Sequence, residues 1–305
     1  MRAVRFDRYG DLDVLEVREV DDPVAAPGQV LVRVRAAAIN PAENFIRSGA
    51  AAAMWSTAFP SGQGTDLAGE VVALGAGVTG FESGAPVLGW TDERVSHAEL
   101  VAVPADHLVA KPESLSWEVA GSMFTAPMAA FASVQTVKAE SGDVVAVSGA
   151  AGGVGSVAVQ LLRHAGATVI ALAGPRNHDW LASLGAIPVQ YGEGQADRVR
   201  KAAGGRLDAF VDTFGGGYVD LAIELGVQPR RVNTLADLGA ARKHGVGFNG
   251  SAEIADTAQL SALVRLVADG AVTIPIAGSY PLDEVRDAYA ELNARHTRGK
   301  IVLLP

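Results

Sequence analysis

The sequence predicts an α/β protein of two domains, with a β-rich, barrel-like part near the N-terminus and a parallel sheet flanked by helices after it. Three observations carry that expectation. The chain has 305 residues, 49% of them hydrophobic, enough for two packed cores at roughly 100–200 residues per domain. Up to about residue 110 the apolar runs are short and closely broken by Gly, Pro and Asp, a strand pattern. From residue 117 onward apolar runs alternate with stretches of helical character, the rhythm of βαβ units.

The N-terminal runs are VLVRVRAA (30–37), AGEVVALG (68–75), PVLGW (86–90) and AELVAVPA (98–105). Short strands with turn residues at this spacing predict a compact β-barrel-like domain. In the second part, VVAVSG (144–149) is a strand leading into a helix that reaches about residue 165. TVIALA (168–173) is a strand followed by a helix near 179–184, and DAFVDT (208–213) is a strand followed by a helix near 217–225. RRVNTL (230–235) is a further strand. Two amphipathic helices, LSALVRLVADG (260–270) and LDEVRDAYAELNA (282–294), precede a terminal strand, KIVLLP (300–305). Pro275 and the GSYP segment (278–281) read as a turn between them. The chain is expected to return there to its N-terminal domain, which gives one domain of residues 1–117 and 272–305 and another of residues 118–271.

Composition narrows the chemistry. Asp and Glu number 34 against 25 Lys and Arg, a net charge of −9 with no Lys/Arg-rich run. That removes the basic footprint of a nucleic-acid binder and disfavours anionic membranes. There is no cysteine, which excludes disulfides, iron–sulfur clusters, Cys-ligated zinc and a thiol nucleophile. His97, His107, His164, His178, His244 and His296 form no HxH or HxxxH pair, so the sequence offers no evidence of a metal site, and a His/carboxylate set assembled in space stays open. Residues 119–137 and 144–162 are uncharged and long enough to raise the question of a membrane span. Pro127 breaks the first, and Ser148, Gly149, Gly152, Gly153, Gly155 and Ser156 break the second. The segment MRAVRFDRYG lacks the apolar core of a secretory signal. A cytoplasmic protein without membrane or nucleic-acid partners is expected.

The strongest local signal is VVAVSGAAGGVG (144–155), an apolar strand that runs into glycines and opens a helix. Gly149, Gly152 and Gly155 permit a tight turn, close approach of a pyrophosphate and close packing of helix on strand. The backbone of Ala150, Gly153 and Val154 joins them in facing the phosphates at the helix start. The spacing is GxxGxxG, so an ordinary tight βα turn shares the signature; its place between strand and helix points to a dinucleotide. Dinucleotide sites for NAD carry an acid about 20 residues further on for the ribose 2′-hydroxyl. Residues 156–178 contain none, and the turn after TVIALA supplies Arg176, Asn177 and His178. That basic turn suits a 2′-phosphate and predicts NADPH over NADH. Arg176 as a simple cap of the next helix is the plainer alternative.

VLVRVRAAAINPAENFIRSG (30–49), GTDLAGEVVALGAGVTGFESGAPVLG (64–89), the AAGGVG turn, DAFVDTFGG (208–216) and the closing RGKIVLLP follow one another in an order that resembles the zinc-free medium-chain dehydrogenase/reductases. The chain is similar, over nearly all its length, to the NADPH-dependent quinone oxidoreductases of the zeta-crystallin type. The resemblance implies a GroES-like catalytic domain built from both chain ends, a Rossmann cofactor domain between them, an active site in the cleft, and a homodimer formed near residues 230–250. It implies Asn40 of INPAE and Thr125 of FTAP as catalytic residues beside the nicotinamide, and Tyr191 and Arg295 at the 2′-phosphate. Lys300 of the RGKIVL motif and Phe248 complete the expected cofactor contacts. As residues alone, Asn40 and Thr125 also suit turn or cap positions, Tyr191 a half-buried strand aromatic, Arg295 a solvated helix end and Lys300 the start of an edge strand.

Zinc-dependent relatives place a Cys and a His-Glu pair where this chain has Asn40 and Thr65-Asp66. Zinc polarisation of a carbonyl is therefore not expected. What remains is hydride transfer from NADPH to a small-molecule electron acceptor, a quinone or the β-carbon of an enone, enal or enoyl thioester. Phe45 stands where such enzymes often carry Tyr, so catalysis is expected to rest on positioning and desolvation, with water supplying the proton. Phe45, Trp55, Trp90 and Phe248 are candidates for an apolar substrate pocket, each equally suited to core or lid packing. Two further readings stay open: a stand-alone enoyl reductase of a biosynthetic pathway, and a non-catalytic NADPH-binding sensor or interaction protein on the same fold.

Overall fold

The chain opens on an antiparallel pair, β1 (Arg2–Arg5) and β2 (Glu16–Glu19). The longest strand, β3 (Gln29–Ala38), follows. Val30, Val32 and Val34 are buried while Arg33 and Arg35 are exposed, the two-residue period of a strand with one face on a core. Next come α1 (Pro41–Arg47), β4 (Asp66–Leu74), β5 (Pro86–Trp90), β6 (Leu100–Pro104), β7 (Leu108–Ala110) and the one-turn helix α2 (Trp117–Ala120). Antiparallel pairing joins β3 to β4, β4 to β5, β5 to β7 and β3 to β6. Val30, Val32, Val34, Leu67, Val87 and Val103 form the core beneath them.

The computed structural model describes residues 1–305, which divide into two units: residues 1–125, 256–268 and 276–305, and residues 126–255 with 269–275. α3 (Thr125–Val137) begins at the junction in sequence. Pro127, expected to break this stretch, lies in the first turn of α3, where the helix needs no N–H from it.

The second unit is a parallel sheet of β8 (Val144–Val147), β9 (Thr168–Ala173), β10 (Ile187–Gln190), β11 (Ala209–Asp212) and β12 (Val232–Thr234). The strands lie in the order β10-β9-β8-β11-β12. Helices α4 (Gly153–His164), α5 (His178–Ser183), α6 (Gln195–Ala202), α7 (Tyr218–Glu224) and α8 (Leu238–His244) accompany them. Val145, Val147, Val169, Ile170, Phe210 and Val211 have no exposed surface, as expected of parallel strands covered on both faces. β8 lies between β9 and β11, so the strand order reverses at its C-terminal end, the place where open parallel sheets bind ligands. β10, α6 and α8 are additional to the expected elements. IPVQ is interrupted by proline, and α6 buries only Val199, which leaves little period to read.

α9 (Thr257–Ala268) packs on β7 and belongs to the first unit, whereas residues 269–275 belong to the second. The chain thus passes between the units more than once near the return expected at residue 272. The GSYP segment, expected as a turn, is instead the end of β13 (Ile276–Pro281), which runs parallel to β14 (Lys300–Leu304) across α10 (Val285–Asn293). An edge strand tolerates Pro281 because no ladder bond is required of it at its end. β14 pairs antiparallel with β3, Val302 opposite Ala38, and this register carries Lys300 to the end of β3. Phe6, Leu15, Ile39, Tyr289, Ile301 and Leu303 pack together there. No helix is long and apolar enough to cross a membrane.

Candidate active site and cofactor site

β8 delivers its backbone to the glycine turn at the switch point of the parallel sheet. Gly149 has a φ of +57°, and a Cβ there would lie 2.7 Å from Thr213 Oγ1. At Gly155 a Cβ would meet Gly149 O at 2.2 Å, so only glycine lets α4 start this close to β8. Gly152 caps α4 with no side-chain hydrogen bond, and no acid occupies the first turn. The initial N–H groups of α4 therefore point outward without a side-chain acceptor, the arrangement that receives a phosphate. Ala150 is buried beneath the turn, while Gly152, Gly153 and Val154 reach its surface.

A buried carboxylate supports this turn from below. Asp212, at the end of β11, accepts from Ser148 Oγ (2.5 Å), Thr234 Oγ1 (2.7 Å), Phe214 N (3.0 Å) and Gly215 N (2.9 Å). Thr213 closes the link with Oγ1 donating to Ser148 O at 2.7 Å. The C-terminal ends of β8, β11 and β12 are thereby tied to one anion whose negative charge is balanced by four donors.

At the neighbouring strand ends, β9 runs into a single 3₁₀ turn, Pro175–Asn177, on which Arg176 is exposed. His178 turns its Nε2 back to Ala173 O at 3.1 Å, so its ring braces the end of β9. Tyr191 follows β10 and is 50% exposed, its hydroxyl 3.5 Å from where a Cβ on Gly174 would stand. Arg176 and Tyr191 thus belong to adjacent turns. Phe248 is half-buried beside Gly247, which exchanges backbone bonds with β12. Arg295 is exposed, has a φ of +55° and belongs to the other unit.

In that other unit the end of β3 carries a buried polar network. Asn40 is 2% exposed. Its backbone N–H donates to Glu43 Oε2 at 2.8 Å, the return half of a capping box on α1. Its Nδ2 donates to Asp66 Oδ2 at 2.7 Å and to Glu43 Oε1 at 3.3 Å, and its Oδ1 accepts from Lys300 Nζ at 2.5 Å. Lys300 Nζ also donates to Ile39 O at 3.0 Å. Asp66 Oδ1 accepts from Phe124 N (3.0 Å) and Thr125 N (2.7 Å) at the start of α3. Tyr289 donates its hydroxyl proton to Glu43, and the Arg47 guanidinium lies 5.1 Å from the Tyr289 ring centroid. The Lys300 ammonium thus shares this buried network with two carboxylates, Glu43 and Asp66, while Arg47 donates to Asn44 Oδ1 at 2.7 Å and pairs with Asp11 at 3.9 Å; buried charge is tolerated where opposite charge and hydrogen bonds meet it. Burial pushes the Lys300 amine below its ordinary value, with Asp66 and Glu43 acting in the opposite direction. Burial, then Glu43, holds the Tyr289 phenol well above its ordinary value. Thr125 Oγ1 is buried with no partner in the chain.

Residues 26–113 match the family described as alcohol dehydrogenase GroES-like domain, and residues 184–303 the family described as zinc-binding dehydrogenase. A quinone oxidoreductase of Pseudomonas aeruginosa is 30% identical across the whole of this chain and 99% of its own. A 2-methylene-furan-3-one reductase of Solanum lycopersicum is also 30% identical, covering all of this chain and 79% of the relative. The structure of the quinone oxidoreductase from Coxiella burnetii superposes with a TM-score of 0.91 at 29% identity, covering 100% of this chain and 99% of that one. The chain belongs to the quinone oxidoreductase family of the medium-chain dehydrogenase/reductases. It is an oxidoreductase, with the family's GroES-like and parallel-sheet domains.

For a quinone oxidoreductase the expected site residues fall into distinct settings. Asn40 and Thr125 are linked through one carboxylate, Asp66. Lys300, expected among the cofactor contacts, has its amino group engaged by Asn40 and Ile39 inside the fold. Trp90, expected in the substrate pocket, is 2% exposed and stacked between His107 and Phe124, each 4.4 Å away. It is core. Phe45 and Trp55 are exposed along with Met54 and Phe59. No three His, Cys, Asp or Glu side chains stand together as metal ligands. Sequence reasoning passed over Glu43, Tyr289, Asp212 and the linking role of Asp66. Glu43 alone left a signal, because Asn40-x-x-Glu43 is capping-box spacing.

Proposed function

We propose that this chain transfers hydride from NADPH to a quinone or to the β-carbon of an α,β-unsaturated carbonyl compound, without a metal. The observation that carries the reading is the open glycine turn at the end of β8, followed at the end of β9 by the acid-free turn bearing Arg176 beside Tyr191. The residues fit a dinucleotide: a Cβ on Gly152 would have only Gly149 O, at 3.3 Å, near it, and Thr125 keeps a buried hydroxyl free of partners in the chain. When bound, NADPH supplies the hydride. The chain's own share is to hold the pyrophosphate on the first N–H groups of α4 and the 2′-phosphate on Arg176 and Tyr191, with Arg295 assigned to the same group by family resemblance. Asn40 and Thr125 are assigned to the nicotinamide end, and the exposed Phe45 and Trp55 to an apolar acceptor. Phe45 has no hydroxyl to give, so the proton that completes reduction comes from water. The reductase named for 2-methylene-furan-3-one supports the unsaturated-carbonyl half of this range. A homodimer is the working state implied by the family, and the cytoplasm is the location proposed for it.

The test is oxidation of NADPH and NADH by the purified protein against a panel of quinones, enones and enoyl thioesters. Faster turnover with NADPH is expected on at least one of these classes. A clear NADH preference overturns the roles given to Arg176, Tyr191 and Arg295, and no turnover on any acceptor overturns the reaction.

A further inference from the structure

Between β10 and α6 lie Tyr191, Gly192, Glu193 and Gly194. Gly192 and Gly194 have φ values of +99° and +70°. No atom stands within 4 Å of a Cβ placed on Gly192, so hydrogen bonds rather than packing hold the chain at this point. Backbone N–H groups of Gln195 and Arg198 donate to Gly192 O and Gly194 O, and most of the side-chain bonds come from one residue. Arg198, in α6, donates from Nε to Gln190 O (3.0 Å), from Nη1 to Glu193 O (2.8 Å) and from Nη2 to Gly192 O (3.3 Å). Gln195 Oε1 accepts from Gly192 N at 3.1 Å on the loop's other side. A guanidinium offers a rigid planar fork of N–H groups that reaches three diverging carbonyls at once; an ammonium of the same charge has no such fork.

The loop so held carries Tyr191, whose hydroxyl lies against Gly174 at the start of the Arg176 turn. We propose that Arg198 is a positioning residue for cofactor specificity: by gripping three backbone carbonyls it keeps Tyr191 beside the Arg176 turn and preorganises a subsite for the 2′-phosphate of NADPH. This rests on the NADPH reading above. Arg198 acts through Tyr191, and its contribution lies in geometry rather than in its charge. Ordering the loop before the cofactor arrives removes that cost from binding, and only a cofactor that uses Tyr191 benefits.

The experiment compares wild type, Arg198→Met and Arg198→Lys in steady-state kinetics with NADPH and with NADH, alongside amide hydrogen exchange over residues 190–194. Both variants are expected to raise KM for NADPH by about tenfold, the equivalent of one well-placed interaction, with kcat and KM for NADH within about twofold of wild type. Exchange across 190–194 is expected to accelerate in both by a similar factor. A Lys variant with wild-type KM for NADPH overturns the proposal, because charge alone then suffices. A Met variant with unchanged KM for NADPH, or one that loses NADH equally, overturns it too. A wild-type enzyme without NADPH preference brings down the cofactor reading itself, and that outcome is visible before either variant is compared.

Discussion

Asn40 has two amide hydrogens and one amide oxygen, and the fold engages them according to charge. Both hydrogens face carboxylates, Asp66 and Glu43, while the oxygen faces the Lys300 ammonium. The orientation of the amide is therefore set by its neighbours, and Asn40 keeps one oxygen lone pair for any bound partner. Lys300 is part of that setting. Replacing it by methionine keeps the length of the side chain but removes the buried positive charge on which Asp66 and Glu43 act. Lys300→Met is expected to lower stability by about 1–3 kcal/mol for each of the two buried acceptors, Asn40 Oδ1 and Ile39 O, that lose their donor, read as a lower urea midpoint.

At the scale of elements, the glycine turn is as rigid as the three strand ends beneath it. Asp212 gathers those ends, and its partners Ser148 and Thr234 lie 64 and 22 residues away in sequence. Asp212→Ala would leave two hydroxyls and two backbone N–H groups of the β11 end without their acceptor. At about 1–3 kcal/mol for each buried donor left unpaired, a loss of at least roughly 3 kcal/mol is expected in urea denaturation. Weaker NADPH binding, by fluorescence titration, should accompany it because Gly149 packs on Thr213. DAFVDTFGG was legible as a strand with a glycine exit; the hub was not, because hydrogen bonds between strand ends leave no period in any one strand.

For the whole molecule, the groups that titrate out of their usual range set the alkaline limit. Burial, then Asp212 and Tyr191, push the Tyr218 phenol up to about 12, and Tyr289 is raised in the same direction by burial and Glu43. A phenol with a raised folded value contributes stability that is complete below the ordinary value near 10 and is lost as pH climbs through the folded value. The urea midpoint is expected to fall between about pH 10 and 12, and Tyr218→Phe should flatten that fall by removing one of the titrating groups.

The sequence by itself determined what neighbouring residues decide. The strand period of VLVRVRAA, the order of strands and helices from residue 144, the glycine turn and the missing acid after it are local patterns, and local patterns survive in one dimension. Their placement at the switch point of the sheet is not among them, because strand order is set by which strands pair. What only the tertiary structure decided are the relations across long separations. Lys300 meets Asn40 because β14 pairs with β3, Asp66 meets Thr125 because α3 starts beside β4, and GSYP is a strand because β14 gives it a partner. Trp90, read as a pocket aromatic, is core because His107 and Phe124 stack on its two faces. A side chain's residue type limits which bonds it can form, but burial and the opposing charges that surround it choose among them, and those come from chain segments that only folding brings together.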